Sequence, residues 1–372
     1  MYKTGVANLP LHGGSAPRWL FSRMVKLSNA VATIIVDEYG RDELLRRVSD
    51  PFWFQAFSCV IGFDWHSSGT TTVTCGALKE ALKDGSCGVV AVGGKGAISR
   101  RVPSEIEDAS GALSLSSDKV EKLKYASKMS AKVDNALVQD SYQLYHHVML
   151  ITNDGGWTVI QQGMNMESKY ARRYHWLGEN IKSFVVEPHA AIMGNEKISA
   201  VLDMTAKQSD ESRKISVDVA KEGDKKIQNS IRILKEPKQR TLDSWISRES
   251  KIEILYMPWK INWKALRQCY EFQPENYEEL ISIKGVGPTT VRALALISEV
   301  IYGEKPSWKD PVKYSFAIGG KDGVPYPIDR KIVDKTIGVL KKGIDDAKVG
   351  KEEKLAAIKR LRVFVPPDIK YE

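Results

Sequence analysis

A chain of 372 residues, 42% hydrophobic and 27% charged, is long enough for two cores and too apolar for wholesale disorder. It has no run of about eighteen apolar residues, so no membrane-spanning helix is predicted, and the start Met1-Tyr2-Lys3-Thr4-Gly5 has no signal-peptide core. Cys59, Cys75, Cys87 and Cys269 form no C-x-x-C pair, which argues against a disulfide frame or structural zinc and for reduced thiols in a cytoplasmic protein.

The net charge of +9 is unevenly spread. Up to residue 203 there are 22 Lys and Arg against 21 Asp and Glu; beyond it there are 33 against 25. A basic surface steers toward polyanions, so the second half is the expected contact with nucleic acid. All six histidines, His12, His66, His146, His147, His175 and His189, lie in the first half. The two halves are expected to do different jobs.

In chain order, Pro10, Gly13, Gly14 and Pro17 break regular structure, and the spacing of Leu20, Met24, Leu27, Val31, Ile34 and Ile35 predicts a helix from Trp19 to about Arg47. Pro51–Phe57 is an aromatic core segment. Asp64-Trp65-His66-Ser67-Ser68-Gly69-Thr70 reads as a polar loop, Thr71–Leu82 as a helix and Gly88–Val92 as a strand running into Gly93-Gly94-Lys95-Gly96. The serine-rich stretch 103–116 reads as a surface loop and Lys119–Val133 as a helix. Tyr142–Thr152 and Trp157–Gln162 read as strands joined by the turn Asn153-Asp154-Gly155-Gly156. Ser183–Val186 and Ala200–Leu202 are further strand candidates. A polar helical connector follows from Thr205 to about Leu234, and then helices at Trp263–Cys269, Tyr277–Ile283, Pro288–Ile301, Arg330–Leu340 and Glu352–Leu361. The expected architecture is an α+β N-terminal domain with a β-hairpin-containing sheet (1–205), a connector (206–240) and a mainly α-helical C-terminal domain (241–372).

Ile281-Ser282-Ile283-Lys284-Gly285-Val286-Gly287-Pro288-Thr289-Thr290-Val291-Arg292 reads as helix, two-glycine turn and second helix. Pro288 suits a first helical turn, and the turn leaves backbone N–H groups open to an anion. This string resembles the helix-hairpin-helix motif of DNA-repair proteins. The resemblance implies contact with the DNA backbone at Lys284, Gly285, Gly287, Thr289, Thr290 and Arg292. In helix-hairpin-helix DNA glycosylases an aspartate follows the hairpin helix and stabilises a cationic sugar; Asp329, in Tyr326-Pro327-Ile328-Asp329-Arg330, stands in a similar phrase. It lies 42 residues beyond Gly287, however, and Thr289 stands where bifunctional members carry a lysine. A carboxylate at a helix start is also an ordinary cap.

The first half offers another chemistry. Asp64 and His66 flank Trp65, Glu187 and His189 flank Pro188, and Asp140 precedes the first strand of the hairpin whose second strand ends in Gln161-Gln162. An acid leading such a hairpin is how restriction-type nucleases hold a metal, although here glutamine takes the second acidic place. Asp64, Asp140 and Glu187 are the candidate ligands for Mg²⁺ or Mn²⁺, with His66, Gln161 and His189 as acid–base or supporting groups. No organic cofactor is indicated. Lys95 could meet a phosphate, although Gly93–Gly96 is not a P-loop. Arg172-Arg173-Tyr174-His175-Trp176 interleaves cations and aromatics, as in tracks for unpaired bases or as in a core.

Thr4–Gly14, Phe63–Gly69, Ala171–Trp176 and Gly319–Gly323 resemble segments of a prokaryotic, largely archaeal family, domain-of-unknown-function family 763. The resemblance spans nearly the whole chain and implies a cytosolic archaeal or bacterial protein. The leading expectation is a DNA-processing enzyme of repair or recombination, a metal-dependent nuclease. The alternatives are a DNA N-glycosylase using Asp329 and a non-catalytic DNA-binding accessory protein.

Overall fold

The computed structural model describes residues 9, 11, 16–62, 67–195, 197–235, 258, 260–312 and 330–362. Helices α1 (Arg18–Tyr39), α2 (Arg41–Ser49), α3 (Pro51–Ile61) and α4 (Ser68–Ala81) come first, followed by strand β1 (Val89–Lys95). The helix expected from Trp19 to Arg47 is therefore two, because Gly40 at φ 87° turns the chain between them. Asp50 starts α3 by accepting from the N–H groups of Phe52 and Trp53, with Pro51 at the first helical position. By length and composition α1 could cross a membrane, but Met24, Leu27, Val31 and Ile35 are buried in a core shared with α3 and α4.

The stretch expected to be a loop at 103–116 is largely helix α5 (Val102–Ala112). Val102, Ile106 and Ala109 recur on one buried face, and Ser104 and Ser110 return their hydroxyls to carbonyls of the preceding turn. Helix α6 (Ser117–Ala136) precedes β2 (Val138–Gln139), β3 (Gln143–Thr152), β4 (Trp157–Asn165), β5 (Tyr170–Leu177), β6 (Ala191–Met193) and β7 (Leu202–Asp203). Ser183–Val186 is not a strand; Phe184 instead meets Tyr125 edge-on and stacks on Trp157. The connector after residue 205 is two helices, α7 (Asp210–Lys221) and α8 (Asp224–Lys235). Then come α9 (Trp263–Phe272), α10 (Tyr277–Ser282), α11 (Pro288–Ile301), α12 (Arg330–Asp346) and α13 (Lys351–Arg362).

The protein is mixed α/β. Its main sheet is antiparallel, in the order β1-β3-β4-β5-β6, with the expected β3–β4 hairpin at its centre. Because side chains alternate along a strand, each strand feeds two cores. Val90, Val92, Met149, Ile151, Val159 and Trp176 meet α5, α6 and the helices from α7 to α11. Val89, Ala91, Val148, Leu150, Ile160 and Leu177 meet α1 to α4 together with α12 and α13. The sheet is thus the middle of three layers. One apolar cluster runs from Val90 to Ile297, so the helices after residue 260 share a core with the sheet.

Candidate functional site

The turn between α10 and α11 is built by its glycines. Gly285 lies at φ +92°, and a Cβ there would come within 2.8 Å of Asn262 Nδ2. Asn262 caps α9 through Ala265 N and donates to Gly285 O at 3.1 Å, tying the turn to the helix behind it. Val286 is buried, whereas Lys284, Gly285, Pro288 and Thr289 are exposed. Gly287 is the cap of α11 in extended conformation, and a Cβ on it would meet nothing within 4 Å. A ligand can therefore approach the first N–H groups of a fourteen-residue helix along an open path.

Helix α6 braces the turn from beneath. Lys128 and Lys132 donate to Ser282 O and Ile283 O at 3.0 and 2.7 Å, placing cations on carbonyls at the end of α10. Burial and the charge of Lys128 lower the Lys132 ammonium to about 8. Gln139 donates to Pro288 O at 2.8 Å. Arg292 is half-buried over the Trp308 ring, and Thr290 is buried with no partner for its hydroxyl among the described residues. The outward contribution of this turn therefore comes from Lys284, Thr289 and the backbone.

The sheet carries two buried polar systems on opposite faces. Toward α6, Asp134 accepts from Gln161 Nε2 at 2.5 Å, Trp176 Nε1 at 3.0 Å and His189 Nε2 at 2.5 Å. Gln161 Oε1 lies 2.9 Å from His147 Nδ1, and His147 Nε2 lies 3.0 Å from Ser127 Oγ. Burial holds the His147 imidazole below its usual range. Gln161 and His189 thus meet through Asp134, a residue the sequence did not single out.

Beside this network, Asp140 accepts from Arg172 Nη1 at 2.9 Å, from Tyr174 Oη at 2.7 Å and from Tyr142 N at 3.1 Å. Arg172 also forks onto both oxygens of Asp310, at 3.0 and 2.8 Å. Burial raises the Asp140 carboxyl against the opposing pull of Arg172. Both oxygens of Asp140 are committed to protein donors. Glu187 stands apart on the surface, 3.4 Å from Lys207. Asp64, His66 and Asp329 lie outside the described residues. Among the described residues no three His, Cys, Asp or Glu side chains are grouped to hold a metal. Arg172 and Arg173 are fully buried, so in this packing neither faces a duplex.

On the opposite face, β3 bulges between Leu144 and His146, and Tyr145 joins His146 above Gln162. The strand register places Lys95 beside His146, His146 beside Gln162 and Gln162 beside Arg173. Gln162 donates to Ser68 O at 2.9 Å and to the Tyr145 hydroxyl. Arg173 donates to His175 Nε2 at 2.9 Å, Thr71 Oγ1 at 3.3 Å and Met193 Sδ at 2.9 Å, and lies over the Phe54 ring. Among the described residues, neither the two ring nitrogens of His146 nor the amide oxygen of Gln162 finds a partner, although all three are buried. Sequence reasoning missed His146 and Gln162 as a pair, because residue pattern alone does not say which cross-strand partner each polar position meets.

A family model described as "Protein of unknown function (DUF763)" matches residues 5–328. The chain belongs to this family. The match runs from before the sheet to beyond α11, so the sheet and the α10–α11 turn both lie inside the matched span. Comparison with curated proteins and with solved structures gave no match.

Proposed function

We propose that this chain is a DNA-processing protein that docks on the phosphate backbone through the turn between α10 and α11. The observation that carries this reading is the pairing of a left-handed Gly285 with an unobstructed Gly287 directly before α11, flanked by exposed Lys284 and Thr289. A phosphate oxygen there would accept from backbone N–H groups at the positive end of a helix and meet the Lys284 ammonium. The excess of basic over acidic residues beyond residue 203 supports the same partner. A divalent-metal hydrolysis would draw on Asp64, Asp140 and Glu187, of which Asp140 is bound by Arg172 and Glu187 stands beside Lys207.

Gly287→Ala is the discriminating test. Its added methyl meets no protein atom and its backbone suits any residue, so thermal stability should stay unchanged. The methyl would occupy the path of the phosphate, and duplex affinity should fall about tenfold or more, the worth of a charge-assisted hydrogen bond. Lys284→Ala should weaken binding and reduce the dependence of log K on log salt by about 1. Unchanged affinity and salt slope in both variants would refute the docking mode. Cleavage assays with Mg²⁺ or chelator on wild type and Asp64→Ala read the hydrolytic part separately.

A further inference from the structure

We propose that the row Lys95, His146, Gln162 and Arg173, on the sheet face beneath α4, is a binding site for a phosphate monoester. These four residues occupy matching positions on β1, β3, β4 and β5, so their side chains line up across neighbouring strands about 4.8 Å apart. Arg173 is wholly buried, yet its partners are an imidazole, a hydroxyl, a thioether and an aromatic ring, none of them anionic. Among the described residues the ionisable side chains beside it are the His175 imidazole, which burial pushes far down, and the Cys75 thiol, which burial pushes up to about 12, so both stay neutral. Among the described residues it thus has no counter-charge, and a cation so buried is costly unless an anion completes it.

The neighbours of Arg173 supply what an oxyanion needs. His146 is almost fully buried, and among the described residues neither of its ring nitrogens nor the Gln162 amide oxygen has a partner. Lys95, at the exposed end of the row, lies 5.8 Å over the Tyr145 ring. Two cations and an imidazole match the charge of a phosphate monoester. The free Gln162 oxygen calls for a donor on the ligand, which a P–OH group or a neighbouring sugar hydroxyl provides and a sulfate does not. The β3 bulge makes the arrangement possible by setting Tyr145 and His146 together above Gln162. Lys95 is the solvent-exposed end of the row and Arg173 its buried end. The same chemistry is presented by free phosphate and by the 5′-phosphate of a nucleic acid.

The test is thermal unfolding of the full chain in inorganic phosphate against chloride of equal ionic strength. A rise of about 2 °C or more at about 10 mM phosphate is expected, reduced by at least half with sulfate. Arg173→Met should remove the response. Lys95→Ala, at an exposed position that bears no core, should cut it severalfold and keeps the test valid should Arg173→Met fold poorly. Gly287→Ala should leave it intact, which separates this site from the hairpin. Given a response to inorganic phosphate, oligonucleotides with and without a 5′-phosphate then identify the source: a larger shift with the phosphorylated strand than with the unphosphorylated one points to nucleic-acid ends, and equal shifts with both strands to a free ligand. A wild-type shift no larger than in chloride, or one unchanged in Lys95→Ala and Arg173→Met, overturns the site.

Discussion

Acidification from pH 7 to about 5 is expected to unfold this protein, with uptake of up to three protons by histidines. His146, His147 and His175 are buried in the sheet, and burial is the largest cause of the fall in each imidazole, to about 3 for His146. In an unfolded chain each titrates near 6.5. Below that pH the unfolded state holds more protons than the folded one. The histidine contribution is therefore complete above pH 6.5 and is lost as pH falls toward the folded values. Three such groups set a limiting slope of about 4 kcal/mol per pH unit. Asp140 and Asp203, whose carboxyls burial raises, take protons earlier when folded and oppose the trend at its acid end. The steepest loss is thus expected between pH 6.5 and about 5. Urea midpoints across this range give the proton count directly. His146→Leu should reduce that count by one without loss of stability at pH 7, because it removes two buried ring nitrogens that have no partner among the described residues. A slope below one proton, or one unchanged in His146→Leu, would sink the assignment.

The same buried histidines mark where sequence reading stops. The β3–β4 hairpin was legible because strand-length apolar runs flank an Asp-Gly turn, and the α10–α11 turn because two glycines and Pro288 punctuate it. Local backbone chemistry writes both. What His146 and His147 do was not legible, since adjacent residues on a strand face opposite layers and the apolar run after them is buried on both faces, which hides the alternation. His147 joins the Asp134 network and His146 the Arg173 row. Asp134 was invisible for a related reason: it is one acid in a polar helix, and only the arrival of Trp176, His189 and Gln161 from three other segments gives it meaning. Stretch 103–116 was misread as a loop because serine content outweighed the spacing of Val102, Ile106 and Ala109.

Arg172 shows how the buried arginines differ from surface cations, and its replacement is expected to have the largest single effect on stability. Its guanidinium stands between Asp140 and Asp310, both buried, and closes a span of 138 residues from β5 to the segment after α11. Arg172→Met keeps the volume but leaves two carboxylates without their cation. Losing one partner of a buried ion pair costs about 3–5 kcal/mol, so this variant should approach the limit of folding at pH 7. The sign with pH is the reverse of the wild type's. Burial already raises the Asp140 carboxyl, and Arg172 is the strongest influence opposing it, so removing Arg172 raises it further. A folded carboxyl titrating above its unfolded value of about 3.9 holds a proton that the unfolded chain has released. The part of the loss that is specific to the substitution should therefore shrink as pH falls from 7 toward about 5, against a wild type that weakens over the same range. Adding Asp140→Asn and Asp310→Asn to Arg172→Met should recover most of the stability at pH 7, because the charges that lost their partner are then gone. If Arg172 instead served as a phosphate contact on an exposed surface, Arg172→Met would leave the urea midpoint unchanged and lower only DNA affinity. Measuring both quantities on one variant decides between the two roles.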